Sequence, residues 1–383
     1  MLRLLVLLFP LLLPAYVVRF QIGMLPTTLV ELGLFGLIAA VTIGDRTVWK
    51  EGWKRVKPWR YAAIAWILAT LIAVFVAPDH VAAVGLWRAY VLEPLIYFVL
   101  LAGCLKTEKD RLRVIQALIA VTTFVFVWAL AQFVTGHGIP HPWDTDILTR
   151  RATGPFPFPN AVSLFCAPIA ALCIGLLTLE KIADRTRRWW LIVGAVSGIG
   201  ATLLAKSAGG TIAILAASSL ALLLNKKTRA WTIGSIIFAL IVAFGVPQIR
   251  VPLVRLLSFQ DWSGKVRLII WKETTNMLKD RPIFGAGFGA YPDVIKPYHT
   301  ATAIEIFQYP HDILLNLWSE TGLLGIVAFA WICIVWFRRS RLSSLAYCLP
   351  LIAILIHGLV DVPYFKNDLA MVFWTLAALA TAA

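Results

Sequence analysis

Most of the residues able to do chemistry lie between Gly264 and Gly325. The stretch GKVRLIIWKETTNMLKD has its apolar residues at helical spacing, with Val266, Ile269, Ile270, Met277 and Leu278 on one face. Lys265, Lys272 and Lys279 share another face, and Arg267 and Trp271 sit one turn apart. Such a helix either rests its lysines on lipid headgroups or turns Arg267 inward toward a phosphorylated substrate. Pro282 ends the helix, and Gly285, Gly287 and Gly289 follow in RPIFGAGFGAYP. Alternate glycines allow close backbone approach, yet no strand precedes them and their spacing is not that of a dinucleotide site. A tight turn is the expectation. His311 then stands where the chain enters an apolar span, with Asp312 beside it and Glu320 deeper. It is either an ordinary interfacial histidine or a base. Imidazole is the side chain best matched to proton transfer near neutral pH.

Further polar groups are scattered. Arg88 falls inside an apolar stretch with Glu93-Pro94 after it. An intramembrane arginine is either functional or paired with a neighbouring carboxylate or carbonyl. RRATGPFPFPN carries an arginine pair, Arg150 and Arg151, then a Gly/Pro-rich turn and Asn160. Lys206 precedes Ser207-Ala208-Gly209-Gly210, and Asp361 follows His357-Gly-Leu-Val. Asp144-Thr145-Asp146 is a DxD, a pattern that either binds a divalent metal or is simply two acids in a polar loop. Cys104, Cys166, Cys173, Cys333 and Cys348 lie in apolar stretches without a CxxC, so neither a disulfide framework nor a thiolate metal site is expected.

The elements holding these residues follow from composition. Of 383 residues 60% are hydrophobic and 14% charged, against about 25% charged in soluble domains; mean hydropathy is +0.81. This excludes a cytosolic globular enzyme, a disordered chain and a secreted disulfide scaffold. It predicts an all-α polytopic membrane protein, a single domain over 1–383. Twelve apolar spans are read at 2–18, 25–44, 61–77, 83–105, 114–134, 161–179, 190–205, 211–224, 231–248, 313–337, 343–360 and 367–383. The first lacks a small-x-small cleavage site and is read as a span. The net charge of +15 would suggest nucleic acid in a soluble protein, but here the cations fill short loops. Loops 45–60, 106–113, 180–189, 225–230 and 338–342 hold 20 Lys/Arg, and the short loops opposite hold five. The positive-inside rule therefore puts both termini in the cytoplasm and no nucleic acid is expected. Residues 249–312 form a long, partly helical extracytoplasmic insertion between the ninth and tenth spans, a length usually kept for function.

These residues resemble the O-antigen ligase superfamily of bacterial membrane glycosyltransferases, from about 85 to 365 and most closely at 264–325. The family pattern is an Arg and a Trp four residues apart, a P-x-x-G-x-G turn, and a His opening a helix with a Gly beyond it. Arg267, Trp271, Pro282, Gly285, Gly287, His311, Gly322 and Gly325 match it. RATGPFPFPN looks like the family's arginine loop. The chain departs at Asp312, where the family has Asn, Ser or Gln, and at Ser207-Ala208, where it often has Ser-Arg.

The resemblance implies a bacterial inner-membrane enzyme acting at the periplasmic face. The donor would be a glycan on polyprenyl (undecaprenyl) pyrophosphate. The acceptor would be a sugar hydroxyl on lipid A core or another glycan. It further implies His311 as general base and Arg267 at the leaving pyrophosphate. Arg88, Arg151, Lys206, Trp271 and Asp361 would bind substrate, Asp361 by orienting a cation, with no metal or cofactor. An O-antigen or polysaccharide polymerase and a protein O-oligosaccharyltransferase share this chemistry. A transporter or flippase is the alternative from another class, since twelve spans with intramembrane charges are common there.

Overall fold

The computed structural model describes residues 1–23 and 25–381, with the Leu25 side chain excluded. Position 24 of the loop read at 19–24, and positions 382 and 383 of the span read at 367–383, fall outside the described residues. The architecture is helical apart from one hairpin. In chain order the helices are α1 (Leu2–Leu8), α2 (Leu29–Gly44), α3 (Thr47–Arg55), α4 (Arg60–Val76), α5 (His80–Trp87), α6 (Glu93–Cys104), α7 (Glu108–Thr135), α8 (Pro159–Leu179) and α9 (Arg185–Leu204). They continue with α10 (Ala208–Leu224), α11 (Arg229–Gly245), α12 (Pro247–Leu257), α13 (Trp262–Asp280), α14 (Tyr291–Val294), α15 (Ile313–Ser343), α16 (Leu349–Gly358) and α17 (Asn367–Thr381).

A helix lies in each of the twelve expected apolar segments. By length and composition, five reach across a bilayer: Lys57–Val76, His80–Cys104, Glu108–Thr135, Pro159–Leu179 and Ile313–Ser343. A sixth is reached if Arg229–Gly245 and Pro247–Asp280, bent by 97°, count as one. Five other apolar helices are shorter, at 10–17 residues, than the ~20 that a perpendicular crossing needs.

Two segments differ from the sequence reading. Residues 25–28 are not the start of a span: Leu25–Thr28 is a strand paired antiparallel with Arg19–Ile22. The helix begins only where Thr28 and Glu31 form a capping box. The loop read at 45–60 contains α3, which packs on α6 through Gly52 and Gly103; a Cβ on either would collide with the facing backbone.

Alpha-8 is the buried centre, packed against α9, α10 and α16. Small residues make that possible. A Cβ on Gly198 would lie 2.7 Å from the Ala170 Cβ, and one on Gly194 2.7 Å from the Cys173 sulfur. Helices in lipid gain little from apolar burial against one another, so close packing of small residues is what joins them.

The predicted glycine turn has a definite task. Helix α15 breaks at Gly322, whose φ of 66° and ψ of −172° suit only glycine. The 283–289 segment supplies partners for the freed backbone. Ala286 N–H donates to Ser319 O at 2.7 Å and Leu323 N–H to Ile283 O at 3.0 Å. Gly289 N–H donates to the Glu320 carboxylate, and Phe288 N–H to Ala73 O near the end of α4. Irregular backbone survives at membrane depth only where protein satisfies it. The turn thereby fixes the start of α15, the helix that His311 precedes.

Candidate functional site

A cavity of about 460 Å³ opens where the loop after α16 meets the ends of α9, α10, α12 and α13. Arg151, Lys206, Arg267 and Asp361 all line it. Helix α13 is started by Asp261, whose side chain accepts the Gly264 N–H. One turn on, Arg267 donates from Nε to Val360 O at 2.8 Å and from Nη1 to the Ser263 carbonyl and hydroxyl. Its Nη2 has no protein partner among the described residues. Arg151 donates from Nε to Ala205 O at 3.0 Å, capping the end of α9, and from Nη2 to Asn160 Oδ1 at 2.7 Å. Burial, and then the like charge of Arg267, hold its pKa below the ordinary arginine value, with Asp361 opposing. Ser207, Ala208 and Gly209, at the N-terminus of α10, border the same space. Exposed N–H groups there add partial positive charge. The cavity is built to attract an anion.

Beside it runs a polar chain. Asn160 Nδ2 donates to Asp361 Oδ2 at 2.8 Å, and the Val362 N–H donates to Asp361 Oδ1 at 2.9 Å. His311 Nδ1 lies 3.3 Å from the same Oδ1. Asp361 is 1% exposed. Burial alone would raise its pKa, but the His311 hydrogen bond, the neighbouring histidines and the Val362 N–H outweigh that and hold it well below the usual carboxylate range. An ionised Asp361 accepts only, so His311 Nδ1 carries a proton, and in the neutral imidazole Nε2 then holds the lone pair.

Local structure aims the imidazole. His311 has φ of 53°, unusual for a residue with a Cβ. Asp312 N-caps α15, accepting the Leu315 N–H at 2.8 Å. Asp, Asn and Ser are interchangeable caps, which accounts for the departure at this position. Trp271 Nε1 donates to Pro310 O at 3.0 Å, pinning the residue before the histidine. Phe307 and Tyr309 flank the imidazole edge-on, each at 5.1 Å.

Of the residues singled out in the sequence, Arg151, Lys206, Arg267 and Asp361 share the cavity. His311 is not in its lining and joins it through Asp361. Asp361 holds an imidazole rather than the expected cation. Trp271 is also outside the lining and holds backbone. Lys206 gives its ammonium to Leu148 O and lies 5.6 Å from the Phe133 ring, so part of its charge is already engaged. Arg88 is elsewhere: it pairs with Glu31 at 3.3 Å and Glu93 at 3.1 Å, and donates to Pro26 O. Of the two readings of Arg88, pairing is the one the geometry supports. Asp144 is met by His141 at 3.3 Å, and no group of three His, Cys, Asp or Glu spaced to hold a metal occurs among the described residues.

Two members of the site had no assigned role in the sequence reading. Asn160 links Arg151 to Asp361, and only its place in the arginine loop pointed to it. His357 lines the cavity at 2% exposure with Nδ1 unpartnered. It sits one turn before Asp361 in an apolar run, where a lone histidine carries no signal.

A helical membrane protein with two arginines on one cavity and a carboxylate-held histidine at its edge is equipped to transfer a group away from a phosphate anion. Residues 193–330 match the model of a family described as O-Antigen ligase. That segment carries Lys206, Arg267, Trp271, the glycine turn and His311, and over it the protein is similar to the O-antigen ligase family. Arg151, Asn160 and Asp361 lie outside the matched residues and reach the site through the fold. A search of curated proteins finds no match.

Proposed function

We propose that the protein transfers a glycan from a polyprenyl pyrophosphate to a sugar hydroxyl at the periplasmic face, with O-antigen ligation to lipid A core as the reaction. The observation that carries this is the joining of Arg151, which shares one anion-seeking cavity with Arg267, to His311 through Asn160 and Asp361. In the reaction the acceptor O–H gives its proton to His311 Nε2. The acceptor oxygen bonds to the anomeric carbon as the bond from that carbon to the phosphate oxygen breaks. Polyprenyl pyrophosphate leaves. Asp361 stabilises the imidazolium that forms, and Arg151, Arg267 and the N-terminus of α10 take up charge on the leaving group. Lys206 adds a weaker point charge. The Lys/Arg bias of the loops favours twelve crossings with both termini cytoplasmic and residues 249–312 outside, a topology in which this cavity faces the periplasm.

The test is transfer by purified protein in lipid discs, from a polyprenyl-diphosphate-linked glycan to a lipid-anchored core saccharide. His311→Gln should lower the rate by on the order of 10²–10⁴ with membrane insertion unchanged. Three protein cations supply the charge that a metal supplies elsewhere, so EDTA should not stop the reaction. Near-wild-type transfer by His311→Gln would remove the histidine as base.

A further inference from the structure

A second cavity, of about 740 Å³, lies by the N-terminal end of α4, remote from the α4 terminus where the glycine turn packs. Lys54, Arg55, Lys57, Arg60 and Arg339 line it, and among its described lining residues Glu51 is the one acid. None of the five cations has a carboxylate partner among the described residues. Arg55 donates to Ala102 O at 3.5 Å and Arg339 to Thr381 O at 3.3 Å. The Arg60 guanidinium lies 4.3 Å above the Tyr61 ring. Arg339 Nε is buried without any hydrogen-bond partner. Some arginines elsewhere are paired, Arg3 with Asp45, Arg88 with two glutamates and Arg187 with Glu108 and Glu180. Five converging cations left unpaired repel one another, and an anion relieves that repulsion.

The surroundings say what kind of anion. Tyr61, Ile64, Leu68, Ile72 and Phe75 are all exposed, and their spacing puts them along one side of α4. This apolar strip starts at the cavity mouth and runs the length of the helix to Phe75. Basic pockets between membrane helices on the cytoplasmic side are the usual receptors for phosphate-bearing headgroups. The positive-inside reading puts loop 45–60 on that side.

We propose that this cavity seats the phosphate of an anionic phospholipid whose acyl chains lie along the exposed strip of α4. A soluble phosphate compound would use the same cations but leave the strip uncovered. The site is separate from the glycan-transfer cavity and does not depend on it.

The experiment is native mass spectrometry of the full chain released from phosphatidylcholine discs doped with phosphatidylglycerol or cardiolipin. The wild type should retain the anionic lipid. Lys57→Gln/Arg60→Gln/Arg339→Gln should retain less, by about fivefold for each cation removed and on the order of a hundredfold in all. Lys226→Gln/Lys227→Gln, exposed in another basic loop, should retain as much as the wild type. Where the triple variant does not insert, Lys57→Gln and Arg339→Gln are measured singly, each with its fivefold loss. Equal retention by wild type and cavity variants overturns the proposal, as does equal loss in the Lys226/Lys227 control. Inorganic phosphate binding to the lipid-free protein without retained lipid overturns the assignment to a lipid.

Discussion

Replacing Asp361 by Asn removes one charge and almost no volume, and the hydrogen bonds around it leave the amide no good orientation. Arg151 can only donate, so Asn160 must turn its oxygen to it and its amide N–H₂ toward Asp361. On the other side, Val362 N–H and His311 Nδ1 both face Oδ1. If the new amide oxygen stays at the Oδ1 position, its N–H₂ meets the N–H₂ of Asn160. Flipping Asn160 only moves the clash to Arg151. If the oxygen takes the Oδ2 position, the N–H₂ meets Val362 N–H and forces His311 to accept at Nδ1. That tautomer carries its proton on Nε2, the atom that must receive one. Each buried mismatch costs about 1–3 kcal/mol of stability. The transfer rate should fall by on the order of 10²–10⁴, the share a general base supplies. Removing a carboxylate beside Arg151 and Arg267 should not weaken donor binding. The assay is the rate of glycan transfer against donor concentration, together with thermal unfolding. A variant within about threefold of the wild-type rate would refute the role of Asp361 in orienting His311. The pH dependence adds a check. A carboxylate with a folded-state pKa below its unfolded value stabilises above the unfolded value and loses that contribution as pH falls below it. Acid should therefore cost the wild type stability over a range where Asp361→Asn shows no matching loss.

Other outcomes follow from the same geometry. Arg267→Lys loses the forked contact with Val360 and Ser263 that clamps the guanidinium with Nη2 free toward the cavity. Transfer should drop severely with insertion intact, and near-normal turnover would argue against the clamp. Arg88→Met leaves Glu31 and Glu93 as buried carboxylates without their cation. It should cost about 3–5 kcal/mol in unfolding assays while donor affinity in the folded fraction is unchanged; a specific loss of donor affinity would return Arg88 to the site. Gly322→Ala puts a Cβ 2.3 Å from Ile283 O at a glycine-only backbone conformation. It should lower folded yield and unfolding temperature, the strain alone amounting to about 1–3 kcal/mol, and wild-type stability would deny the turn its structural task.

The sequence was most informative where one signal had one physical cause. Apolar runs forecast a helix in each of the twelve segments read as spans, because hydrocarbon solvates no free backbone group, but not α3 in the polar loop at 45–60. They did not forecast Leu25–Thr28 as a strand, since a short apolar run before a span reads like more span. His311, Arg267 and Arg151 were legible as polar groups set at one end of the spans, and Asp361 as an acid after an apolar run. What each does was not legible. Trp271 reads as a substrate contact, and the fold shows its indole N–H on Pro310 O, a partner set by tertiary packing. Arg88 has the strongest intramembrane signal, yet it is satisfied by Glu31, 57 positions away in the chain. Sequence spacing gave no hint of that partner, nor of the Asn160 bridge to Asp361.

The most direct measurement is a cryo-electron microscopy map of the full chain in lipid discs with a polyprenyl diphosphate bound. Diphosphate density is expected in the 460 Å³ cavity, touching Arg151 and Arg267, with His311 Nε2 open to the space where an acceptor hydroxyl approaches. Diphosphate seated away from both arginines, or a His311 turned from Asp361 and from the bound lipid, would contradict that expectation.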